Sequence, residues 1–137
     1  MSAEIFGVLA RTVHRTAQEA SAILRAEGLN PAQFQLLLAV RANPDEFQQV
    51  VGQRLGVTAA AVSMLVTKLQ NAGLLGRVPE GAANRLRLTH AGRELVDRLA
   101  PQQDAFMAQR FAALDDAELA ELHRLASRAF EGLPAPS

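Results

Sequence analysis

Apolar residues recur along most of this chain at spacings of three and four, which is the period of amphipathic helices. Over residues 3–26 this spacing predicts one long helix, which Gly28 ends. Its apolar stripe consists of Phe6, Ala10, Val13, Ala17, Ala20 and Leu24. Asn30-Pro31-Ala32-Gln33 combines an N-cap acceptor, a proline at the first helical position and a glutamine that can bond back to the cap, so a second helix is predicted to run to about residue 42.

Two shorter helices are predicted to follow the second one. Asn43-Pro44-Asp45-Glu46 repeats the start signal, so a third helix is expected to begin near Pro44 and to end at Leu55, where Gly56 permits a left-handed stop. Thr58 can cap a fourth helix over residues 59–71. Gly52 lies where these two helices would cross closely, and the core between them is expected to contain Leu55, Val62 and Leu65.

The spacing of apolar residues changes after residue 73. Residues 74–78 and 84–89 are short β-tolerant runs on either side of the turn-like segment 79–83, which predicts a β-hairpin. Thr89 or His90 opens a fifth helix that extends to Phe111 and that Pro101 can kink. A last helix begins at residue 115 or 116. The predicted fold class is therefore mainly α with a small β-hairpin, in one chain unit over residues 1–137.

Charge is unevenly distributed, although the formal net charge is zero. Residues 47–93 carry a net charge of +5, between −1 for residues 1–46 and −4 for residues 94–137. This basic middle segment indicates a polyanionic partner such as nucleic acid. The chain has no cysteine, which excludes disulfides, thiolate nucleophiles and cysteine zinc sites. Without a basic, apolar leader or a membrane-length apolar run, we expect a cytoplasmic protein with no membrane partner.

Residues 47–75 combine a helix, the break Gly56-Val57-Thr58, a second helix and the start of the hairpin. This is the order of a helix-turn-helix followed by a wing, and a DNA major groove about 12 Å wide admits one helix. The candidate DNA-binding residues are Arg54, Thr58, Ala59, Ala60, Ala61, Ser63, Met64, Thr67, Lys68, Arg77, Asn84, Arg85 and Arg87. Ser63, Thr67 and Met64 are expected at base edges, and Lys68 and Arg54 on phosphates.

Six short segments follow one another in a characteristic order and spacing. They are GLNPAQF at 28–34, VGQRLGV at 51–57, VSMLVTKL at 62–69, NAGLL at 71–75, LTHAG at 88–92 and LDDAEL at 114–119. Together they resemble the MarR-type winged helix-turn-helix transcriptional regulators over nearly the whole chain. The resemblance implies a homodimer held by its first and last helices, two DNA-binding lobes that reach successive major grooves, and often a small-molecule pocket between lobe and dimer domain.

On this resemblance, residues 30–92 are expected to form the DNA-binding lobe, and residues 1–29 with 93–137 the helical dimerisation region. The terminal apolar stripes independently favour a partner subunit, although they can also cover each other within one monomer. Members of the family usually place polar or basic residues where this chain has Ala59-Ala60-Ala61. The wing also lacks the family's acidic-x-Arg tip, for which Asn84 and Arg85 are the nearest substitutes, so binding is expected to depend on DNA shape and phosphate contacts.

The remaining polar residues do not form a catalytic or metal-binding pattern. We therefore expect that the protein is not an enzyme and that it binds no cofactor. His14, His90 and His123 are too far apart in sequence for a metal motif. A polar patch on the first helix can face a small-molecule effector or simply solvent; it consists of Arg11, His14, Arg15 and Gln18. We expect a homodimeric regulator that binds a pseudo-palindromic operator and acts as a repressor rather than an activator. The alternative is a winged-helix protein-interaction module whose alanine-rich helix packs against another protein.

Overall fold

The computed structural model describes residues 1–136, and it confirms the predicted mainly α fold with one hairpin. The elements in chain order are α1 (Ser2–Arg25), α2 (Pro31–Ala42), α3 (Gln48–Leu55), α4 (Ala59–Asn71), β1 (Leu75–Glu80), β2 (Ala83–Leu88), α5 (His90–Arg110) and α6 (Asp116–Glu131). Among residues 1–136, no single helix has both the length and the apolar composition of a membrane span, and α3 with α4 reaches them only jointly, across a bend of 111°.

Side-chain caps begin four of the helices where the sequence predicts them. At α2, the Asn30 side chain accepts a hydrogen bond from the Gln33 N–H at 2.8 Å, and the Gln33 side chain accepts one from the Asn30 N–H at 3.0 Å. Asp115 and Glu118 form the same reciprocal pair at α6. The hydroxyl oxygens of Thr58 and Thr89 cap α4 and α5. These starts are local in sequence, so a few neighbouring residues suffice to specify them.

The prediction that the third helix begins near Pro44 is wrong, because α3 begins at Gln48. The preceding segment is extended along β2 instead. The Asp45 N–H donates to the Leu86 carbonyl at 3.1 Å, the Leu86 N–H donates to the Glu46 carbonyl at 2.9 Å, and Phe47 pairs with β2. Asp45 adopts a left-handed φ of 62°, which turns the chain into this pairing. A distant strand thus outcompetes the local helix signal.

The hairpin is tighter than predicted. Its strands pair antiparallel from Leu75 opposite Leu88 to Glu80 opposite Ala83, so the loop contains only Gly81 and Ala82 rather than residues 79–83. Gly81 has a φ of 61°, as a glycine at the first position of a two-residue hairpin loop requires. The paired region therefore extends almost to the tip.

The core lies between α2, α4, the hairpin and α5, and it fixes how α3 meets α4. Its fully buried side chains include Leu36, Leu37, Val66, Leu86 and Val96. The predicted close crossing at Gly52 is confirmed, since a Cβ there would stand 3.0 Å from Cγ1 of Val62. The bend of 111° between α3 and α4 falls within the range of about 90–120° that is typical of a helix-turn-helix.

The two terminal helices bury little of their apolar surface. In α1 only Ala20 and Leu24 are buried, and α6 has no buried residue. The exposed large apolar side chains at these ends include Ile5, Phe6, Val8, Leu9, Val13, Leu125, Phe130 and Leu133. Phe130 rests against Gly56, at the turn between α3 and α4.

Candidate nucleic-acid interface

One side of α4 is packed and the other faces outward. Val62, Val66 and Leu69 are buried against the core. The exposed positions include Ala59, Ala60, Met64, Thr67 and Lys68, and Met64 has 62% of its surface exposed. Ala61 and Ser63 are half-buried. The helix that the sequence predicts to enter a major groove is thus presented to solvent over its N-terminal turns, where recognition helices contact base edges.

Arg77, on β1, binds the hairpin to both helices of the pair. Its Nη2 donates to the Ser63 carbonyl at 3.0 Å and lies 3.3 Å from the Ser63 hydroxyl. Its Nη1 donates to Thr67 Oγ1 at 3.2 Å and to Gln70 at 3.0 Å, and its Nε donates to Gln48 at 3.0 Å. Five acceptors thus surround the five N–H groups of this guanidinium. The structure places Arg77 inside the protein's own hydrogen-bond network, and a direct DNA contact by this residue stays a prediction.

Carboxylates accompany the other candidate arginines. Arg54 lies 3.2 Å from Glu46, and Arg87 lies 2.7 Å from Asp45. Arg85 donates to Glu80 at 2.7 Å and to the Asp45 carbonyl at 2.8 Å, and its guanidinium is 4.0 Å from the centre of the Phe47 ring. Asp45 and Glu46 belong to the neighbouring acidic segment, so the net charge of residues 47–93 overstates the free positive charge of this face.

Lys68 differs from these arginines. It is exposed on α4, and no carboxylate of residues 1–136 lies within 4.0 Å of its ammonium. Thr58 lies half-buried at the start of the same helix, with its oxygen committed to the cap. Asn84 is half-buried opposite Pro79, and the exposed tip of the wing contains Gly81 and Ala82 rather than a basic residue.

The candidate effector patch faces solvent. Arg11, His14, Arg15 and Gln18 are all exposed on α1. A cavity of about 220 Å³ instead lies on another side of α1, between α1, α2 and α5; Val13, Ala17, Phe34, Gln103 and Met107 line it with their neighbours. Gln103 is 7% exposed, and its Nε2 has no hydrogen-bond partner among residues 1–136. Sequence reasoning did not identify this cavity, because it depends on packing between helices that are distant in the chain.

An ion pair joins Glu27, two residues after the end of α1, to Arg98 of α5. The Arg98 guanidinium hydrogen-bonds to Glu27 and thereby lowers the pKa of that carboxyl, while the same contact raises the pKa of Arg98. Within residues 1–136, no group of three or more histidine or acidic side chains could hold a metal ion.

The sequence of the winged-helix part matches a family model described as MarR family, over residues 27–86. In this part the chain is similar to the MarR family. Over 121 residues it is 26% identical to an HTH-type transcriptional regulator of Bacillus cereus, an alignment that covers 88% of this chain and 82% of that protein. MarR proteins are transcriptional regulators and not enzymes.

Solved structures have the same fold. The PcaV transcriptional regulator of Streptomyces coelicolor, determined in complex with its natural ligand, is 27% identical, with 92% of each chain covered and a TM-score of 0.76. MepR of S. aureus, determined in complex with DNA, is 19% identical, with 97% of this chain and 98% of that chain covered and a TM-score of 0.81. The second likeness concerns the fold alone.

Proposed function

We propose that this chain is a MarR-family regulator that binds double-stranded DNA as a homodimer and represses transcription from a pseudo-palindromic operator. The observation that carries the proposal is the outward presentation of α4, with unpaired Lys68 on its exposed side and a wing that Arg77 fixes beside it. A helix held in this way can enter the major groove without rearrangement of the lobe.

The dimer part of the proposal rests on the terminal helices. Residues 1–29 and 93–137 would form the dimerisation region, and residues 30–92 the DNA-binding lobe. α6 has no buried residue, and α1 exposes Ile5, Phe6 and Leu9, so both helices present large apolar side chains that a partner subunit can cover. A twofold pair covers both faces at once, because the same surface meets itself.

The effector part rests on the cavity between α1, α2 and α5. A ligand there would touch α1 and α5 of the dimerisation region as well as α2 of the lobe, so it could change the distance between the two lobes and release DNA. PcaV, determined with its natural ligand, supports a ligand for this chain as well. The exposed patch of Arg11, His14, Arg15 and Gln18 is the competing location. The cavity would be favoured if Gln103→Leu abolishes the release of DNA by the ligand and Arg15→Ala preserves it.

Selection of bound duplexes from a random-sequence pool, at low and at high salt, tests the DNA-binding proposal. We expect an enriched inverted repeat with half-sites about one helical turn apart, and an affinity that falls as salt rises. A protein-interaction module would enrich no DNA sequence, and that result would contradict the proposal. Replacing both Arg85 and Arg87 by alanine should weaken binding while the dimer persists, whereas an interaction module would tolerate both changes.

A further inference from the structure

We propose that α4 selects its operator through the C5-methyl groups of thymine, using an apolar stripe of Ala60 and Met64, rather than through hydrogen bonds to base edges. The proposal rests on the DNA binding argued above and specifies the chemistry of that same surface. It predicts half-sites in which thymine methyls line the major groove beside the first turns of α4.

The hydroxyls expected to read bases are both contacted by Arg77. Thr67 Oγ1 donates its proton to the Ser63 carbonyl at 2.9 Å and accepts from Arg77 at 3.2 Å. The Ser63 hydroxyl is half-buried and lies 3.3 Å from Nη2 of Arg77. Moving either side chain toward a base would break a contact of the guanidinium that fixes the wing, and a lost partner for a charged donor is costly. The stripe Ala59-Ser63-Thr67 is therefore poorly suited to polar readout.

The neighbouring stripe is apolar until its last position. Ala60, Met64 and Lys68 follow one another at intervals of four, so they lie in one row along the exposed side of α4. Neither a methyl group nor a thioether can donate a hydrogen bond, but both make favourable contacts with the methyl group that thymine alone among the DNA bases presents in the major groove. Lys68 at the end of the row supplies the charge for a phosphate.

The exposure of Met64 leaves its row available to a partner. At 62% exposure it is the most exposed large apolar side chain between residues 14 and 132. A flexible thioether follows irregular apolar surfaces well, and water released from it and from a thymine methyl contributes to binding. The row is narrow and ends in a cation, which fits a groove walled by phosphates better than a broad protein interface.

The test compares thymine with uracil, which pairs identically and lacks only the methyl group. The duplex most enriched from the thymine pool is resynthesised with deoxyuridine at each thymine in turn, and binding is measured by fluorescence anisotropy. We expect a loss of about fourfold for each methyl that contacts α4, the value for one buried methyl-sized group. Equal binding of all uracil duplexes would overturn the proposal and leave DNA binding intact. If no duplex is enriched from the thymine pool, DNA binding itself fails, and this inference fails with it.

Variants assign the preference to a residue. Met64→Ala should reduce the thymine preference toward unity at the affected positions, while Met64→Leu, which keeps an apolar side chain of similar size, should retain most of it. Lys68→Ala should weaken thymine and uracil duplexes by the same factor. Combining each variant with each base change isolates the pairwise effect from any general loss of affinity. A full thymine preference in Met64→Ala would refute the assignment.

Discussion

Gly92 lies at the start of α5, directly against the chain segment that leads into the hairpin. A Cβ at this position would overlap the carbonyl of Leu74, a backbone group that cannot move aside without displacing the hairpin. We predict that Gly92→Ala lowers the free energy of unfolding by about 3 kcal/mol, as overpacking of a close contact does. Denaturant unfolding measures the change. Gly132→Ala is the matched control, because its Cβ would make only ordinary contacts at 3.6 Å; equal stability of the two variants would refute the prediction.

Asp45 combines an unusual backbone with an ion pair. Its φ is 62°, and its carboxylate lies 2.7 Å from Arg87. Asparagine tolerates this backbone region but carries no charge, so Asp45→Asn should keep the fold and remove one repulsion of phosphate. We predict duplex binding about threefold tighter at low salt, with the difference lost at high salt. Weaker binding by Asp45→Asn would mean that the carboxylate aims Arg87 at DNA, contrary to the prediction.

Whether an element could be predicted depends on how local its determinants are. The starts of α2, α4, α5 and α6 were predictable from capping residues within one turn. The start of α3 was not, because Asp45 and Glu46 pair with Leu86, forty residues later in the chain. The hairpin was predictable from its period, but its two-residue loop depended on strand pairing that extends through Pro79 and Glu80.

Arg77 connects the hairpin to α4. Substituting it therefore tests whether this contact holds the wing rigid. Lysine keeps the charge but cannot reproduce the planar fork that contacts Ser63, Thr67 and Gln70. We predict that Arg77→Lys lowers the free energy of unfolding by about 1–2 kcal/mol and speeds amide exchange in the hairpin relative to α2. Arg93→Lys, at an exposed position of α5, serves as the matched control. Unchanged hairpin exchange in Arg77→Lys would exclude this role.

The contact between Glu27 and Arg98 predicts how the packing of α1 on α5 responds to acid. The hydrogen bond from Arg98 lowers the pKa of Glu27 in the folded state. The contribution of this contact to stability is therefore present above the ordinary carboxyl pKa, and it is lost as pH falls through the lowered pKa of Glu27. We predict that the free energy of unfolding of Glu27→Gln falls less than that of the wild type over this acidic range. Thermal unfolding across pH measures it, and Arg98→Ala should have the same effect. Identical pH profiles for wild type and both variants would contradict the prediction.

At the scale of the molecule, the charge pattern of the sequence predicted the candidate face but not its free charges. The segment that precedes the basic run lies beside it in the fold, so Asp45 and Glu46 compensate two of its arginines, and Glu80, within the run, pairs with a third. The sequence also could not indicate that Arg77 occupies the hydroxyls of Ser63 and Thr67, since that contact requires the hairpin to fold back on α4. Lys68 and Met64 are then the exposed candidate residues of α4 with long side chains that are not tied to Arg77.

The exposed ends of the chain predict the assembly. The double variant Ile5→Asp with Leu9→Asp would place two charges in the proposed subunit interface. It should therefore weaken dimerisation by roughly a hundredfold or more. Sedimentation equilibrium measures the dissociation constant. Gln18→Asp, on a solvent-facing side of α1, is the control and should leave the dimer unchanged. A wild-type monomer at high concentration, or an unaffected double variant, would contradict a dimer built on α1.

The most direct test of the central claim is a crystal structure of the protein bound to the duplex enriched from the random pool. We predict a twofold pair with one α4 in each of two successive major grooves, the two helices about 34 Å apart and Met64 beside the base edges. An α4 that faces away from the duplex, or two α4 helices that no single duplex could accommodate, would contradict it.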